Sequence, residues 1–271
     1  MRKVAVALVA AASTGCGGAG PLLHPAHVEP EGVVTAGAGV SGQIVRGAAA
    51  TTIGTARETT VQGLAPTPDA EAKYRAGALA VTALAPGVAP WVSGRVGIGW
   101  KSEAGITYTG RALRVDARRA FGDESFAVSV GAGAHAMRGR PGSGPSADLS
   151  GLGTEGVSGA GLDVPVIAGW RSAAGLVQVW GGGRFFYEHL GGSICLHGPC
   201  GLGGASDGNP WSGTHISAGG LAGLALGFRH VFVAIEVDVA YEHANAAFDG
   251  GGDLSISGLS VAPAGALIGR F

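Results

Sequence analysis

Apolar residues occupy every second position over much of this chain. In "HVFVAIEVDVAYEH" the odd-numbered residues from Val231 to Tyr241 are apolar, and Glu236, Asp238 and Glu242 lie on the opposite face. Alternation of this length predicts β-strands rather than helices. The alternating runs continue for about eleven to fifteen residues, whereas strands of globular proteins have about five or six and membrane-spanning strands about nine to eleven. The runs therefore have the length of membrane-spanning strands.

The alternation predicts ten strands. They cover residues 32–45, 76–84, 90–101, 104–116, 124–137, 157–170, 175–188, 213–228, 230–243 and 254–271. Within 104–116 the apolar residues change parity between Tyr108 and Leu113, which predicts a β-bulge near Gly110. An alternative has eight strands that begin near residue 90, with the preceding residues forming a plug or linker.

The second face of these strands consists of Gly, Ser, Thr and charged residues, which would form a poor sandwich core. A transmembrane barrel turns its apolar face to lipid and encloses the polar face. The composition agrees, with 52 glycines and only 14% charged residues, against about 25% in ordinary soluble domains. Mean hydropathy is +0.31, yet the apolar residues are dispersed. We predict an all-β, antiparallel, up-and-down transmembrane barrel over residues 32–271.

The first sixteen residues have the features of an export signal. Arg2 and Lys3 precede the apolar run 4–12, and "STGC" follows. Thr14, Gly15 and Cys16 resemble the lipobox of bacterial lipoproteins, although Ser13 stands where Leu is usual. The resemblance implies cleavage before Cys16 and its acylation, so we expect a signal peptide over 1–16 and a flexible linker over 17–31. Cleavage after the alanines at 10–12 is the alternative.

The other two cysteines lie close together in "CLHGPC". An exported chain favours a disulfide between Cys195 and Cys200. The alternative is a metal site, although the spacing matches no standard zinc pattern. Its ligands would come from Cys195, Cys200, His189, His197 and His215. "HPAH" at 24–27 is expected to belong to the linker, with metal binding as its alternative.

The chain ends in "ALIGRF", with Leu259, Val261, Leu267 and Phe271 on one parity. This ending resembles the terminal strand of bacterial outer-membrane β-barrel proteins, which finishes in an aromatic residue. The resemblance implies that Phe271 is read by the barrel assembly machinery. It also implies outer-membrane lipids as partners and the bacterial outer membrane as location.

Charged residues on the inner face of the predicted strands would line a narrow lumen. Those on which the prediction depends are Arg95, Arg114, Arg184, Glu236, Asp238 and Glu242, joined by Arg111, Asp163 and His135. We expect opposite charges to pair and close the lumen, with a selective porin-like pore as the alternative. Isolated charges in a dry interior would otherwise be too costly.

Catalytic and nucleic-acid functions have little support in the sequence. The net charge of −1 offers no basic face for nucleic acid. "GVSGAG" around Ser158 is not a nucleophile elbow, and "GAGVSG" does not open a helix as a dinucleotide site would. Residues His189, His215, Glu188 and His243 near one rim are the candidates for an outer-membrane enzyme.

These observations predict a small outer-membrane barrel with a structural, adhesive or restricted-transport role, without catalytic activity, cofactor or metal. One alternative is a barrel enzyme that cleaves peptides or modifies lipids. The other is a soluble, lipid-tethered periplasmic β-sandwich.

Overall fold

Ten strands and two helices follow one another in the computed structural model, which describes residues 20–61, 67–139, 153–195 and 209–271. In chain order the elements are β1 (Val34–Arg46), α1 (Ala48–Val61), α2 (Pro68–Leu84), β2 (Gly87–Gly99), β3 (Ser102–Tyr108), β4 (Ala112–Gly122), β5 (Phe126–Gly139), β6 (Gly153–Arg171), β7 (Val177–Cys195), β8 (Asn209–Phe228), β9 (Val231–Phe248) and β10 (Gly252–Arg270).

The strands form one closed barrel. Each strand pairs antiparallel with the next, and β1 pairs with both β2 and β10. The seam continues beyond β10, because the N–H and C=O of Phe271 exchange hydrogen bonds of 2.8 and 3.0 Å with Val34. The predicted all-β, antiparallel, up-and-down barrel is therefore confirmed. The eight-stranded barrel and the β-sandwich are both wrong, since β1 closes the sheet on itself.

The two faces of the barrel follow the alternation in the sequence. On β9, Val231, Ile235 and Tyr241 are each more than half exposed on the outside. Glu236 and Ala234 between them are buried inside. The apolar face thus points outward and the polar face inward, as predicted.

The predicted strand 76–84 is wrong, because these residues form the second half of α2. Thr67 caps this helix, its hydroxyl oxygen accepting a hydrogen bond from Ala70 N, and Pro68 occupies the first turn. Asp69 and Glu71 add negative charge near the N-terminus. The alanine-rich run that follows has high helix propensity. Among the described residues no helix has the length and apolarity to cross a bilayer.

The predicted strand 104–116 is also wrong, because it contains two strands. β3 and β4 are joined by a turn at 109–111, where Gly110 has a φ of +79°. The parity change between Tyr108 and Leu113, which pair across this turn, arises from the turn and not from a bulge. The total of ten strands was reached because this error offsets the one at 76–84.

The two ends of the barrel differ. The lower end, where Val34 and Arg270 lie, has the short connections 100–101, 123–125, 172–176 and 229–230. The upper end has the helical connection 47–86 and the turns 109–111 and 249–251. The connections 140–152 and 196–208 also join strands at their upper ends, but they lie outside the described residues.

The two helices pack into the upper lumen. Leu79 and Leu84 of α2 are fully buried and share a core with Leu190, Trp211 and Phe248 of the barrel wall. Ala49, Ile53 and Ala56 of α1 belong to the same core. This helical hairpin therefore fills the upper part of the barrel interior.

Candidate functional site: the charged lumen

The lower lumen is occupied by residues 20–31, which we call the lumen segment. Leu22, Leu23 and Ala26 are 4%, 1% and 0% exposed. They share a second core with Trp91 and Trp180 of the barrel wall. The lumen segment falls within residues 17–31, which were expected to form a flexible linker. The described residues of that linker are instead packed inside the barrel. The physical reason is the apolar Leu–Leu pair, whose burial a solvated spacer would not provide.

Glu236 and two tryptophans bind the first part of the lumen segment. The Oε1 atom of Glu236 accepts hydrogen bonds from Leu22 N at 2.6 Å and Leu23 N at 3.0 Å. Its Oε2 atom accepts from Trp180 Nε1 at 2.8 Å. Trp91 Nε1 donates to Pro21 O at 3.2 Å. A buried carboxylate thus satisfies two adjacent backbone N–H groups.

Three arginines and Glu103 bind the remainder of the segment. Arg184 Nη1 donates to the carbonyl of Gly20 at 2.6 Å. Arg118 donates to the carbonyls of Pro25 and His27. The amide of Glu29 donates to Glu103 Oε2 at 2.9 Å, and the Glu29 carboxylate pairs with Arg270 at 2.8 Å. Most of these contacts are made to the backbone of the segment.

Two of these arginines, Arg118 and Arg184, belong to one chain of ion pairs, which we call the arginine network. Its members, in order of contact, are Arg118, Glu103, Arg95, Asp116, Arg114, Asp163 and Arg184. Asp163 accepts from Arg114 Nε at 2.8 Å and from Arg184 Nε at 3.1 Å. Four guanidinium groups alternate with three carboxylates along the network, so each buried charge has a partner of opposite sign.

A second polar cluster, the histidine cluster, lies higher in the lumen. Glu188 contacts His135 Nε2 at 3.2 Å and His215 Nδ1 at 3.6 Å. His215 Nε2 lies 2.8 Å from Glu242, which also accepts from the Ser260 hydroxyl at 2.5 Å. The adjoining cavity measures about 40 Å³, which is space for water rather than for a substrate. The contacts of the histidine cluster therefore fix the positions of its own side chains in the lumen.

The structure places the predicted lumen charges in different surroundings. Arg95, Arg114 and Arg184 belong to the arginine network together with Asp163. Glu236 binds the lumen segment and Glu242 binds His215, in place of the expected arginine partners. Asp238 lines the 40 Å³ cavity, and its Oδ1 atom is buried without a hydrogen-bond partner. Arg111 and His135 line a smaller cavity nearby.

The rim candidates separate into two groups. Glu188 and His215 are buried in the lumen, whereas His189 and His243 lie on outward-facing positions of β7 and β9. The metal alternative that joined His189 to His215 therefore fails, because they occupy opposite faces of the wall. Within the described ranges no three His, Cys, Asp or Glu side chains are grouped to hold a metal.

Sequence reasoning missed several lumen residues. Glu103, Asp116 and Arg118 complete the arginine network. Glu103 and Arg118 lie outside the predicted strand 104–116, and Asp116 is its last residue. A strand over β4 would have shown Arg114, Asp116 and Arg118 at alternate positions on one face. Leu22 and Leu23 were missed because nothing in their local pattern predicts a binding partner.

The remaining predicted residues lie at the ends of elements or outside the described part. Phe271 closes the seam with Val34, and its side chain is 77% exposed on the outer surface. Cys195 is the last residue of β7. Cys200 and Cys16 lie outside the described residues, so the disulfide and the acylation stay predictions.

The outer surface carries an apolar band with an aromatic belt at its lower edge. The exposed aromatic residues there are Trp100, Phe121, Phe126, Trp170, Phe228 and Phe271. The guanidinium groups of Arg119 and Arg229 lie 5.7 and 5.2 Å from the ring centres of Phe121 and Phe228. Aromatic rings and arginines of this kind suit the boundary between an apolar and an aqueous phase.

The upper edge of the band is marked by Tyr187 and Tyr241. Above them β7, β8, β9 and β10 carry polar residues at outward positions. Neighbouring strands pair these residues in a row: His189 with Thr214, Thr214 with Asn245, and Asn245 with Ser255. The outer surface therefore changes from apolar to polar part of the way up the barrel.

Comparison with known proteins identifies no family for this chain. No protein-family model and no curated protein sequence matches the chain. Among solved structures it is similar to the crystal structure of neisserial surface protein A, with 11% identity and a TM-score of 0.31, over 89% of this chain and all of that one. The class of the protein thus comes from its own strand pairing: a closed, ten-stranded antiparallel barrel.

Proposed function

We propose that this protein is a barrel of the bacterial outer membrane. The observation that carries the proposal is the outward apolar band between the lower aromatic belt and the tyrosines Tyr187 and Tyr241. From Val231 to Tyr241 the chain advances ten residues, which at about 3.3 Å per residue and a tilt of about 40° gives about 25 Å. That is the height of the lipid-facing band of outer-membrane barrels.

Within that membrane we propose a structural or adhesive role rather than passage of solutes. The lumen segment occupies the lower lumen and the helical hairpin occupies the upper lumen. The arginine network binds the lumen segment through the hydrogen bond from Arg184 to Gly20. We propose no catalytic role, because the Ser260 hydroxyl donates to Glu242 and its cavity has little room for a substrate.

Two measurements test the proposal. Refolded protein should insert into phospholipid vesicles and migrate differently on detergent gels before and after boiling, as closed barrels do. In planar bilayers it should give no large, stable conductance. Failure to insert would contradict the membrane location, and a large conductance would favour restricted transport instead.

We further propose that Cys16 carries a lipid, on the support of Thr14, Gly15 and Cys16 after a basic and apolar start. Labelled palmitate should enter the wild type but not the Cys16→Ala variant. Equal labelling of both, or of neither, would leave cleavage after the alanines at 10–12 as the processing route.

We also propose a disulfide between Cys195 and Cys200 at the upper end of the barrel, on the support of export and of the short spacing. Mass spectrometry of unreduced peptides should find the two cysteines linked. Free thiols would contradict this proposal. The closed loop is short, so its effect on stability should be about 2 kcal/mol.

A further inference from the structure

The lower lumen has the features of a peptide-binding site that the chain itself occupies. The wall contacts seven backbone groups of the lumen segment: the carbonyls of Gly20, Pro21, Pro25 and His27 and the amides of Leu22, Leu23 and Glu29. Any extended peptide offers such groups. Specificity comes from Leu22, Leu23 and Ala26, which fill the apolar space beside Trp91 and Trp180.

Within the described residues, the lumen segment continues into the barrel at its C-terminal end, where β1 follows. At the lower rim Gly32 N donates to Gly97 O at 2.9 Å, and Gly32 itself is exposed with a φ of +80°. Apart from a single parallel β-bridge between Glu31 and Gly97, side chains of the wall, rather than a strand ladder, bind the residues before it. The helical hairpin closes the lumen above. Departure of the segment would therefore leave a pocket that opens at the lower end.

Two histidines of the segment are buried without hydrogen-bond partners. His24 is 3% and His27 is 7% exposed, and all four of their ring nitrogens are unpaired. A buried polar group without a partner lowers the stability of the docked state. These nitrogens are therefore a weak point in an otherwise well-bonded segment.

The charges around these histidines oppose their protonation. His24 faces guanidinium groups of β2, β4 and β7, namely Arg95, Arg114, Arg118 and Arg184, and His27 faces Arg118, Arg171 and Asp123. Three acidic groups near the segment are already bonded: Glu103 to Arg118 and Glu29 N, Asp163 to Arg184, and Glu236 to Leu22, Leu23 and Trp180. Asp238, which lines a cavity together with Gly20, has its Oδ1 atom unbonded.

Burial, and then the charge of Arg118, lowers the pKa of His24 well below its usual value. Burial, followed by Arg171 and Arg118, lowers the pKa of His27, while Asp123 acts in the opposite direction. A released histidine has a pKa of about 6.5, so release takes up protons, and docking weakens as the pH falls below that value. At pH 5 protonation of a released His24 should weaken docking by at most roughly 30-fold.

We propose that the lower lumen is a binding site for an extended peptide, that residues 20–31 occupy it as a releasable ligand, and that acid releases them by protonating His24 and His27.

The test cuts the folded full-length chain at Gly32, between the lumen segment and β1. A protease recognition sequence is inserted at Gly32, the detergent-solubilised barrel is cleaved, and the retained N-terminal fragment is measured by mass spectrometry. The fragment should remain bound at pH 7.5 and leave at pH 5, while migration on detergent gels shows that the barrel stays folded. The His24→Gln, His27→Gln double variant should keep its fragment at both pH values.

A second arm asks whether the emptied barrel binds the peptide again. At pH 7.5 a fluorescent peptide of residues 20–31 should bind the stripped barrel, and the same peptide with Leu22→Gly and Leu23→Gly should bind at least tenfold more weakly. Each of four results would overturn the proposal. The fragment leaves only when the barrel unfolds, or it leaves to the same extent at both pH values. The double variant releases its fragment at pH 5 as the wild type does, or the peptide fails to rebind.

Hydrogen exchange of the uncut wild type provides a measurement that does not depend on the inserted sequence. After correction for the intrinsic effect of pH, the amides of Leu22 and Leu23 should exchange faster at pH 5 than at pH 7.5. Amides of β9 should not. Equal protection of the leucine amides at both pH values would contradict acid release.

Discussion

Glu236 links the barrel wall to the lumen segment through a single side chain. Its carboxylate is 1% exposed and accepts three hydrogen bonds, two from adjacent backbone amides and one from Trp180. Burial of a carboxylate is unfavourable unless such bonds replace its hydration. Glu236 therefore contributes to stability through its hydrogen bonds to Leu22 N, Leu23 N and Trp180, rather than through an ion pair with an arginine.

Replacement of Glu236 should destabilise the barrel strongly. Glu236→Ala leaves Leu22 N, Leu23 N and Trp180 Nε1 buried without their acceptor. The free energy of unfolding should fall by at least about 3 kcal/mol, because each of the three unsatisfied buried donors costs about 1–3 kcal/mol. Urea unfolding measures the change. Glu124→Ala, which alters an exposed glutamate in the turn between β4 and β5, is the matched control and should change stability by less than about 0.5 kcal/mol.

At the scale of elements, β8 and β7 pack together because Gly223 of β8 faces the lumen beside the large ring of Trp180 of β7. A Cβ added at Gly223 would overlap the ring of Trp180. Gly220 on the same strand faces outward, where a Cβ would meet only Gly182 O at 3.5 Å, an ordinary contact. The inward glycine thus provides space for the tryptophan that binds Glu236.

Alanine substitution on β8 should consequently depend on the face. Gly223→Ala should lower the free energy of unfolding by about 1–3 kcal/mol, as overpacking does. Gly220→Ala should leave stability nearly unchanged. Equal effects of the two substitutions would contradict the placement of Trp180 against Gly223. Thermal unfolding followed by near-UV circular dichroism reports both stability and the environment of the tryptophan.

The seam between β10 and β1 ends on Phe271, which contributes two separable features. Its backbone forms the last pair of hydrogen bonds with Val34, and its ring is exposed outward in the aromatic belt. Phe271→Ala keeps the backbone bonds and removes the ring. Deletion of Phe271 removes both.

We expect Phe271→Ala to reduce the amount of assembled barrel in the membrane while the unfolding temperature of the assembled fraction stays near that of wild type. Deletion of Phe271 should reduce assembly at least as much. Quantification of the heat-modifiable form in membrane fractions measures assembly. Normal membrane levels of both variants would count against a role of the terminal aromatic residue in assembly.

At the scale of the whole molecule, the outer surface determines where the barrel can reside. The outward residues of β9 are apolar from Val231 to Tyr241 and polar at His243 and Asn245. A charge is therefore expected to destabilise the barrel at one outward position and to have little effect at another only six residues away on the same strand.

Val237→Arg places a cation in the middle of the apolar band and should lower the stability in phospholipid vesicles by about 2–4 kcal/mol. His243→Arg, the control on the same face above Tyr241, should change stability by less than about 1 kcal/mol. Urea titration of folding into vesicles measures both. Similar effects of the two substitutions would place the membrane boundary elsewhere or argue against a membrane.

Alternation in the sequence predicted the fold class and the orientation of the faces, because side chains of a strand point to opposite sides at every second residue whatever their partners are. β9 and β10 illustrate this well. The same rule failed where local chemistry competed with it. Residues 76–84 form a helix because Thr67 and Pro68 start one. Tyr108 and Leu113 are separated by a turn, whereas the change of parity between them had predicted a bulge.

The candidate site could be predicted only in part. Inward parity identified Arg95, Arg114, Arg184, Glu236 and Glu242 as lumen residues, but parity does not give partners. Arg114 meets Asp163 of β6 and Arg184 of β7 meets the same carboxylate because the register of the closed barrel brings these strands to one height. Contacts between residues far apart in sequence are set by that register.

Neighbouring residues were enough to predict that the chain forms long strands, that the apolar face and the polar face are opposite, and that Phe271 ends a strand. What fills the lumen depends on contacts between residues far apart in the chain. Leu22 and Leu23 lie some two hundred positions from Glu236, and no local pattern links them. Closure of the barrel creates the buried space and the unpaired carboxylate, and the lumen segment satisfies both.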